Sequence, residues 1–297
     1  MGDTAAAATV KSIAPGATIG ILGGGQLGRM LAMAAAQLGY HCHIYAPEGE
    51  GPASEVARHV TQAQYDDMDA LTAFARSCDV LTYEFENVPA APLRAIANIA
   101  PLRPGPLALD TAQSRIDEKR FARELGGTVA NFAFAQTAAE LDAALAESGR
   151  PAIIKSNRFG YDGKGQARVY PGDDALTRWQ EAGAQPSIVE ALVDFDSEFS
   201  VIMVRATDGE VRFWDSPHNV HEHGILASST VPAGKTIAKQ VEPARKLARR
   251  IAERLDYVGV LTLEFFATAN GPVFNEMAPR VHNSGHWTIE GALTSQF

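Results

Sequence analysis

The feature that most constrains this chain is a short apolar run ending in glycines that open directly into a helical pattern. Ile19-Gly20-Ile21-Leu22 is followed by Gly23-Gly24-Gly25-Gln26-Leu27-Gly28, and Leu27, Met30, Leu31 and Ala34 then recur at spacings of three and four. Strand, tight turn and amphipathic helix make the opening of a βαβ unit. Gly39 is placed to close the helix. Residues 41–45 read as a second strand, 69–78 as a helix and 80–83 as a third strand. Strands alternating with helices imply a parallel sheet with crossover helices. Pro101, Pro104, Gly105 and Pro106 break the pattern. The expectation is therefore an α/β N-terminal domain over 18–107, Rossmann-like, preceded by a disordered tail over 1–17.

Composition narrows the class. The 297 residues suit about two domains at ~100–200 residues each. An apolar fraction of 46% is enough to build cores. The net charge of −9 argues against general binding of nucleic acid or of anionic membranes. No window approaches the ~20 apolar residues of a spanning helix, and the N-terminus lacks the basic and apolar regions of a signal peptide. Cys42 and Cys78 are too few for a disulfide framework, which points to reduced thiols and the cytoplasm.

The second half, 108–297, reads as α+β. Helices are expected over 117–125, 138–147 and 243–255. The last carries Arg245, Lys246, Arg249 and Arg250 on a solvated outer face. Strands are expected over 152–155, 187–190 and 198–204, the last pairing with 211–214 across Asp208-Gly209. A hairpin of 259–266 with 273–276 is expected around Asn270-Gly271.

Four stretches can carry chemistry. Gly23-x-Gly25-x-x-Gly28 sits at a helix N-terminus, which favours an anion, and Glu48 stands where the ribose-binding acid of a dinucleotide fold would be. Glycines needed only for helix–strand packing are the alternative. Lys155 precedes Gly160-Tyr161-Asp162-Gly163-Lys164-Gly165-Gln166, whose N–H groups can surround phosphate oxygens without side-chain obstruction. It is no Walker A motif, because Ser or Thr does not follow the lysine. Glu264 and Glu276 flank the hairpin. A three-residue loop would set them directly opposite, and a two-residue loop would offset them by one. Opposed carboxylates repel unless a cation lies between them, and carboxylates with substrate phosphates are a common seat for Mg²⁺. Asn275 can share that role. Finally, Arg280 offers a planar fork for bicarbonate or phosphate, and His282 can move a proton near neutral pH. Zinc held by His282 with His286, or by His218, His221 and His223, finds no third ligand for the first pair and no helix for either set.

Together these stretches resemble the ATP-grasp superfamily, and within it the 5-(carboxyamino)imidazole ribonucleotide synthases. The resemblance runs from about Thr18 to Phe297. It rests on Gly23 to Met30, on Gly160 to Gln166, and above all on Asn275-Glu276-Met277-Ala278-Pro279-Arg280-Val281-His282-Asn283-Ser284-Gly285-His286-Trp287. It implies a pre-ATP-grasp domain followed by an ATP-grasp domain, with a small lid subdomain at about 128–193. The implied reaction is carboxylation of 5-aminoimidazole ribonucleotide by ATP and bicarbonate, through carboxyphosphate, in purine biosynthesis.

The resemblance also implies residue roles. Arg115, Lys155 and the loop from Gly160 to Gln166 hold the ATP phosphates. Glu190, Ala191, Leu192 and Val193 form the adenine connection, Glu198 takes the ribose hydroxyls and His221 lies in the nucleotide site. Glu264 and Glu276 bind Mg²⁺, with Asn275 alongside. Gly25, Gln26, Leu27, Glu84, Tyr161, Lys164 and Asn283 contact the ribonucleotide. Arg280 positions bicarbonate, and His282 or Asp162 takes the amine proton. The implied partners are these small molecules and a second copy of the chain, as a homodimer. Relatives continue past the equivalent of Phe297 into a segment that supplies basic residues to the ribonucleotide phosphate, so the expectation is that this segment is missing and ribonucleotide affinity is reduced. Competing readings are a nicotinamide-dependent oxidoreductase, another ATP-grasp ligase or carboxylase, and a non-catalytic nucleotide-binding protein.

Overall fold

The computed structural model describes residues 12–158 and 165–297, and these form three sheets. The first is parallel, in the order β3-β2-β1-β4, from β1 (Thr18–Leu22), β2 (His41–Ala46), β3 (His59–Gln62) and β4 (Val80–Tyr83). Helices α1 (Gln26–Gln37), α2 (Met68–Arg76) and α3 (Ala90–Ile96) connect and flank these strands. Alternate residues of one strand serve opposite faces. Ile21 and Ile44 pack with Ala32 and Ala35 of α1, while Leu22, Tyr45, Leu81 and Tyr83 pack with Leu71 and Phe74 of α2. Burial on both faces explains why these strands read as apolar runs. The edge strand β3 is mostly exposed and polar, so the sequence gives it no pattern to detect.

Two helices, α4 (Pro106–Ala112) and α5 (Arg115–Glu124), lead into the second half. A small antiparallel sheet, β5-β8-β6-β7, follows from β5 (Phe132–Ala135), β6 (Ala152–Ser156), β7 (Gln166–Val169) and β8 (Ser187–Ala191). With α6 (Leu141–Ser148) and α7 (Ala175–Glu181) it encloses its own core, including Leu141, Leu145, Ile154 and Val189.

The large antiparallel sheet runs β12-β11-β9-β13-β14, with β10 also paired to β9. Its strands are β9 (Ser197–Arg205), β10 (Val211–Phe213), β11 (His218–Glu222), β12 (Ile225–Thr230), β13 (Gly259–Thr268) and β14 (Gly271–Ala278). One face is covered by α9 (Val241–Arg254), whose Leu247, Ala248, Ile251 and Ala252 pack on Phe199, Val201, Leu261 and Leu263; α8 (Gly234–Ala238) precedes it. The outer face of α9 is basic as expected, and Arg245 and Arg249 both lie over the Phe213 ring. The chain ends in a 3-10 turn (Asn283–Gly285) and α10 (Thr288–Gly291). The last residues of β14 thus lead straight into the polar stretch that the sequence singled out.

Candidate active site

A cleft of about 720 Å³ lies among the small sheet, the large sheet and the end of the parallel sheet. The hairpin β13–β14 forms its floor. The turn between them has two residues, since Thr268 pairs with Gly271. Left alone, that register would set Glu264 against Asn275. A β-bulge between Glu264 and Phe265 shifts it by one, so Glu264 pairs with Glu276 after all. The extra residue is Asn275, which agrees with the use of bulges to re-aim side chains beside sites.

The two carboxylates therefore face one cavity under strong mutual influence. Burial first, and then the charge on Glu276, push the Glu264 carboxyl up to about 8. Glu276 also carries a burial cost, but Arg115 Nη1 lies 2.8 Å from its Oε2 and outweighs it, holding Glu276 down to about 2. Asn275 Oδ1 is buried without a hydrogen-bond partner. Two opposed carboxylates and an idle amide oxygen make a hard all-oxygen donor set that fits Mg²⁺. Among the described residues, no group of three or more His, Cys, Asp or Glu is arranged to hold a metal. One or two carboxylates completed by water and substrate phosphates are a common seat for Mg²⁺.

Cations gather at the small-sheet end. Glu190, on β8, is 3% exposed and lies 3.3 Å from both Lys119 Nζ and Lys155 Nζ. The two lysines overcome its burial cost and hold it down to about 2. Lys155 is on β6, next to β8 in the sheet, so the ladder fixes this contact. Ala191, Leu192 and Val193 continue from Glu190 along the cleft wall, and Gln166 lies at the start of β7. On the large sheet, His221 Nδ1 is 2.7 Å from Glu198 Oε2, and the carboxylate raises the imidazole's pKa against its burial. β11 and β12 are polar strands that did not announce themselves, and the His218, His221 and His223 cluster belongs to β11 and its turn.

At the far end, Arg280 Nε lies 2.8 Å from Glu86 Oε1. His282 Nε2 is 3.2 Å from Glu264 Oε1, and burial pushes this imidazole down to about 3. Asn283 lines the same cleft and accepts a hydrogen bond from Gln26 Nε2 at 3.1 Å. That bond joins the cleft to the first glycine turn. Gly25, Gln26, Leu27 and Glu84 do not line the cleft; they lie at this adjoining turn. Leu27 is buried. Gly25 N–H donates to Glu84 Oε1 at 2.7 Å, so the protein's own carboxylate occupies the helix N-terminus. A Cβ on Gly23, where φ is +122°, would collide with that carboxylate. Gly160, Tyr161, Asp162, Gly163 and Lys164 lie outside the described residues.

Residues in and beneath the cleft escaped the sequence reading, among them Glu118, Lys119 and Phe195. Glu118 and Lys119 sit in the charged helix expected over 117–125, yet both are nearly inaccessible, and Glu118 Oε1 accepts the Met277 N–H at 2.6 Å. No spacing signal separates them from the exposed charges beside them. Phe195, stacked on Phe266 with ring centroids 4.6 Å apart, comes from a loop without periodicity.

Comparison with known proteins agrees with this architecture. Residues 16–113 match the ribonucleotide synthetase pre-ATP-grasp domain, and residues 120–297 match the ATP-grasp domain. The N5-carboxyaminoimidazole ribonucleotide synthase of Brucella melitensis is 47% identical over 96% of this chain and 80% of its own length. The chain belongs to the N5-carboxyaminoimidazole ribonucleotide synthase family. An ADP complex of such an enzyme superposes with a TM-score of 0.91 at 40% identity, covering 96% of this chain and 75% of that one. The enzyme from Aspergillus clavatus in complex with ADP and 5-aminoimidazole ribonucleotide gives a TM-score of 0.86 at 30% identity, covering 95% and 74%. The protein is thus an ATP-dependent ligase of the ATP-grasp type. It carboxylates 5-aminoimidazole ribonucleotide with ATP and bicarbonate in purine biosynthesis. This family is favoured over the other readings weighed on the sequence.

Proposed function

We propose that the cleft holds ATP at its small-sheet end and the ribonucleotide at its Arg280–Asn283 end, with bicarbonate between them. The observation that carries this reading is the continuity of the cleft. Lys155 and Glu190 at one end, and Arg280 and Asn283 at the other, line the same cavity, with Glu264 and Glu276 between. Arg115 and Lys155 supply positive charge to the ATP phosphates. The chain from Glu190 to Val193 borders the base, and Phe195 and Phe266 present it an apolar face. Glu198, steadied by His221, faces the ribose hydroxyls. Glu264, Asn275 and Glu276 would hold Mg²⁺, which when bound neutralises charge on the transferring phosphoryl group.

Bicarbonate is a poor electrophile, and phosphorylation by ATP converts it to carboxyphosphate, whose phosphate can leave. Arg280 offers two parallel N–H donors to a planar carboxylate. A guanidinium at that position stabilises negative charge as it develops. The ribonucleotide approaches from the first glycine turn, where Gln26 is already hydrogen-bonded to Asn283.

The test measures ADP release with ATP, Mg²⁺ and bicarbonate, with and without 5-aminoimidazole ribonucleotide. Release that needs the ribonucleotide, together with formation of the carboxyamino product, supports the reading. Equal release without it refutes the shared-cleft assignment.

The division at 107/108 belongs to the same proposal, with a lid subdomain at about 128–193; support comes from the separate core of the small sheet. A cytoplasmic homodimer is also proposed. Among the described residues no helix is long and apolar enough to cross a membrane. Sedimentation of the purified chain tests the dimer.

A further inference from the structure

Helix α5 begins at Arg115, the residue that pairs with Glu276, and its start is completed by a residue from another sheet. The first four N–H groups of a helix have no partner within it, and the side chain of the residue just ahead ordinarily satisfies one of them. Ser114 occupies that place, is 1% exposed and makes no such bond. Asn157 supplies it instead, from 41 positions downstream of Ile116 and directly after β6. Its Oδ1 accepts the Ile116 N–H at 2.9 Å, and its backbone carbonyl accepts the Arg115 N–H at 3.0 Å. Its Nδ2 donates to Ser114 Oγ at 3.2 Å. A backbone N–H can only donate, so the Ile116 bond fixes which end of the Asn157 carboxamide faces the helix.

Asn157 is itself anchored. Its N–H donates to the Pro186 carbonyl at 2.9 Å, one residue ahead of β8, so its backbone continues the small sheet. On the other side, Gln113 Nε2 donates to the carbonyls of Glu86 and Val88, each at 2.7 Å, and ties the approach to α5 to the segment after β4. Arg115 thus enters the cleft from a junction between the parallel sheet and the small sheet. It needs holding there. As the first residue of the helix it lies in the turn that frays most readily, and a cation at a helix N-terminus opposes the helix dipole. Loss of the cap would free the turn from which Arg115 Nη1 reaches Glu276 Oε2 at 2.8 Å.

We propose that Asn157 is a positioning residue for Arg115: its side chain caps α5 from the small sheet and so holds the guanidinium at its place in the cleft. The benefit to nucleotide binding rests on the role proposed above for Arg115 at the ATP phosphates. The cap does not. Asn157 also lines the cleft, so a direct contact with the nucleotide is the rival account. Spacing could not single it out, because a cap supplied by another sheet leaves no signature near the helix it serves.

Two measurements on the full chain test this. Hydrogen exchange of the Ile116 amide follows the cap without any need for activity. In Asn157→Ala its protection should fall about fivefold, the worth of one helix cap, and in Asn157→Asp, which keeps an acceptor oxygen, it should be retained. Unchanged protection in Asn157→Ala overturns the proposal. Calorimetric titration with ATP and Mg²⁺ follows the consequence, with Asn157→Ala placed in the parent chain and in Arg115→Met. The expected loss of affinity is about fivefold in the parent chain and less than about twofold in Arg115→Met, because the substitution acts through a side chain already removed. A similar loss in both means that Asn157 meets the nucleotide itself or acts on the fold at large, and contradicts a role through Arg115. No loss in the parent chain, when Arg115→Met itself weakens ATP, contradicts it equally. If Arg115→Met binds ATP as tightly as the parent chain, the assignment of Arg115 to the phosphates fails while the exchange data still decide the cap.

Discussion

The first glycine turn and the carboxylate hairpin are both built around glutamates, and they differ in how those glutamates are satisfied. At the turn, Glu84 accepts the Gly25 N–H and fills the helix N-terminus, so the anion site is closed by the protein itself. At the hairpin, Glu264 and Glu276 oppose each other across a bulge, and the idle Asn275 Oδ1 lies beside them. A glycine-rich helix start is a familiar place to expect a phosphate, yet here it is electrostatically complete. At the hairpin Arg115 pairs with Glu276, while Glu264 has no lysine or arginine partner among the described residues. Unbalanced charge, more than motif, distinguishes a seat for a ligand from a piece of architecture.

Substitutions can break this contrast. The largest expected effect is from Lys119→Met. Removing one partner of the buried Lys119–Glu190 contact leaves Glu190 with Lys155 alone, and the expected loss is about 3–5 kcal/mol of stability by denaturant unfolding. A variant as stable as the parent would show that Lys155 suffices. Next comes Glu276→Gln, which keeps shape and removes charge. Turnover should drop on the order of 10²-fold or more, by analogy with other lost contacts to transition-state charge. Near-normal turnover at limiting Mg²⁺ would remove Glu276 from the cation seat.

The turn should respond differently. Gly23→Ala forces a Cβ into the Glu84 carboxylate at a φ of +122°, and it should cost roughly 1–3 kcal/mol of stability. An unchanged midpoint would mean that Glu84 is free to move aside. The smallest effect is expected for Gln26→Ala, which removes the bond to Asn283. KM for the ribonucleotide should rise severalfold, in line with about 1 kcal/mol for one hydrogen bond, while ATP binding stays nearly unchanged. A matching loss of ATP affinity would erase the distinction between the two ends of the cleft.

Sequence patterns exposed some of this and concealed the rest, for physical reasons. The parallel sheet was legible because its strands are buried on both faces and its turns are punctuated by glycine and proline. β3, β11 and β12 were not, since edge strands and strands facing a polar cleft lack apolar alternation. The hairpin was legible from Asn270-Gly271, but the pairing of Glu264 with Glu276 was left open between two loop lengths. The shorter loop occurs, and a bulge restores the pairing. A bulge depends on tertiary packing that no local spacing encodes. Glycine spacing located the first turn correctly but could not show that Glu84, some sixty residues on, would occupy it. Glu118 and Lys119 were hidden because a charged helix facing inward is indistinguishable in sequence from one facing water.

The central claim is that the hairpin's unmet charge is a cation seat that nucleotide completes. Water-proton relaxation with Mn²⁺ in place of Mg²⁺ tests it most directly, on the unaltered chain and on Glu264→Gln/Glu276→Gln, each with and without ADP. The expected result is enhanced relaxation from bound Mn²⁺ in the unaltered chain when ADP is present, and loss of that enhancement in the double variant while ADP still binds. Equal enhancement in both proteins would contradict the claim and place the cation elsewhere.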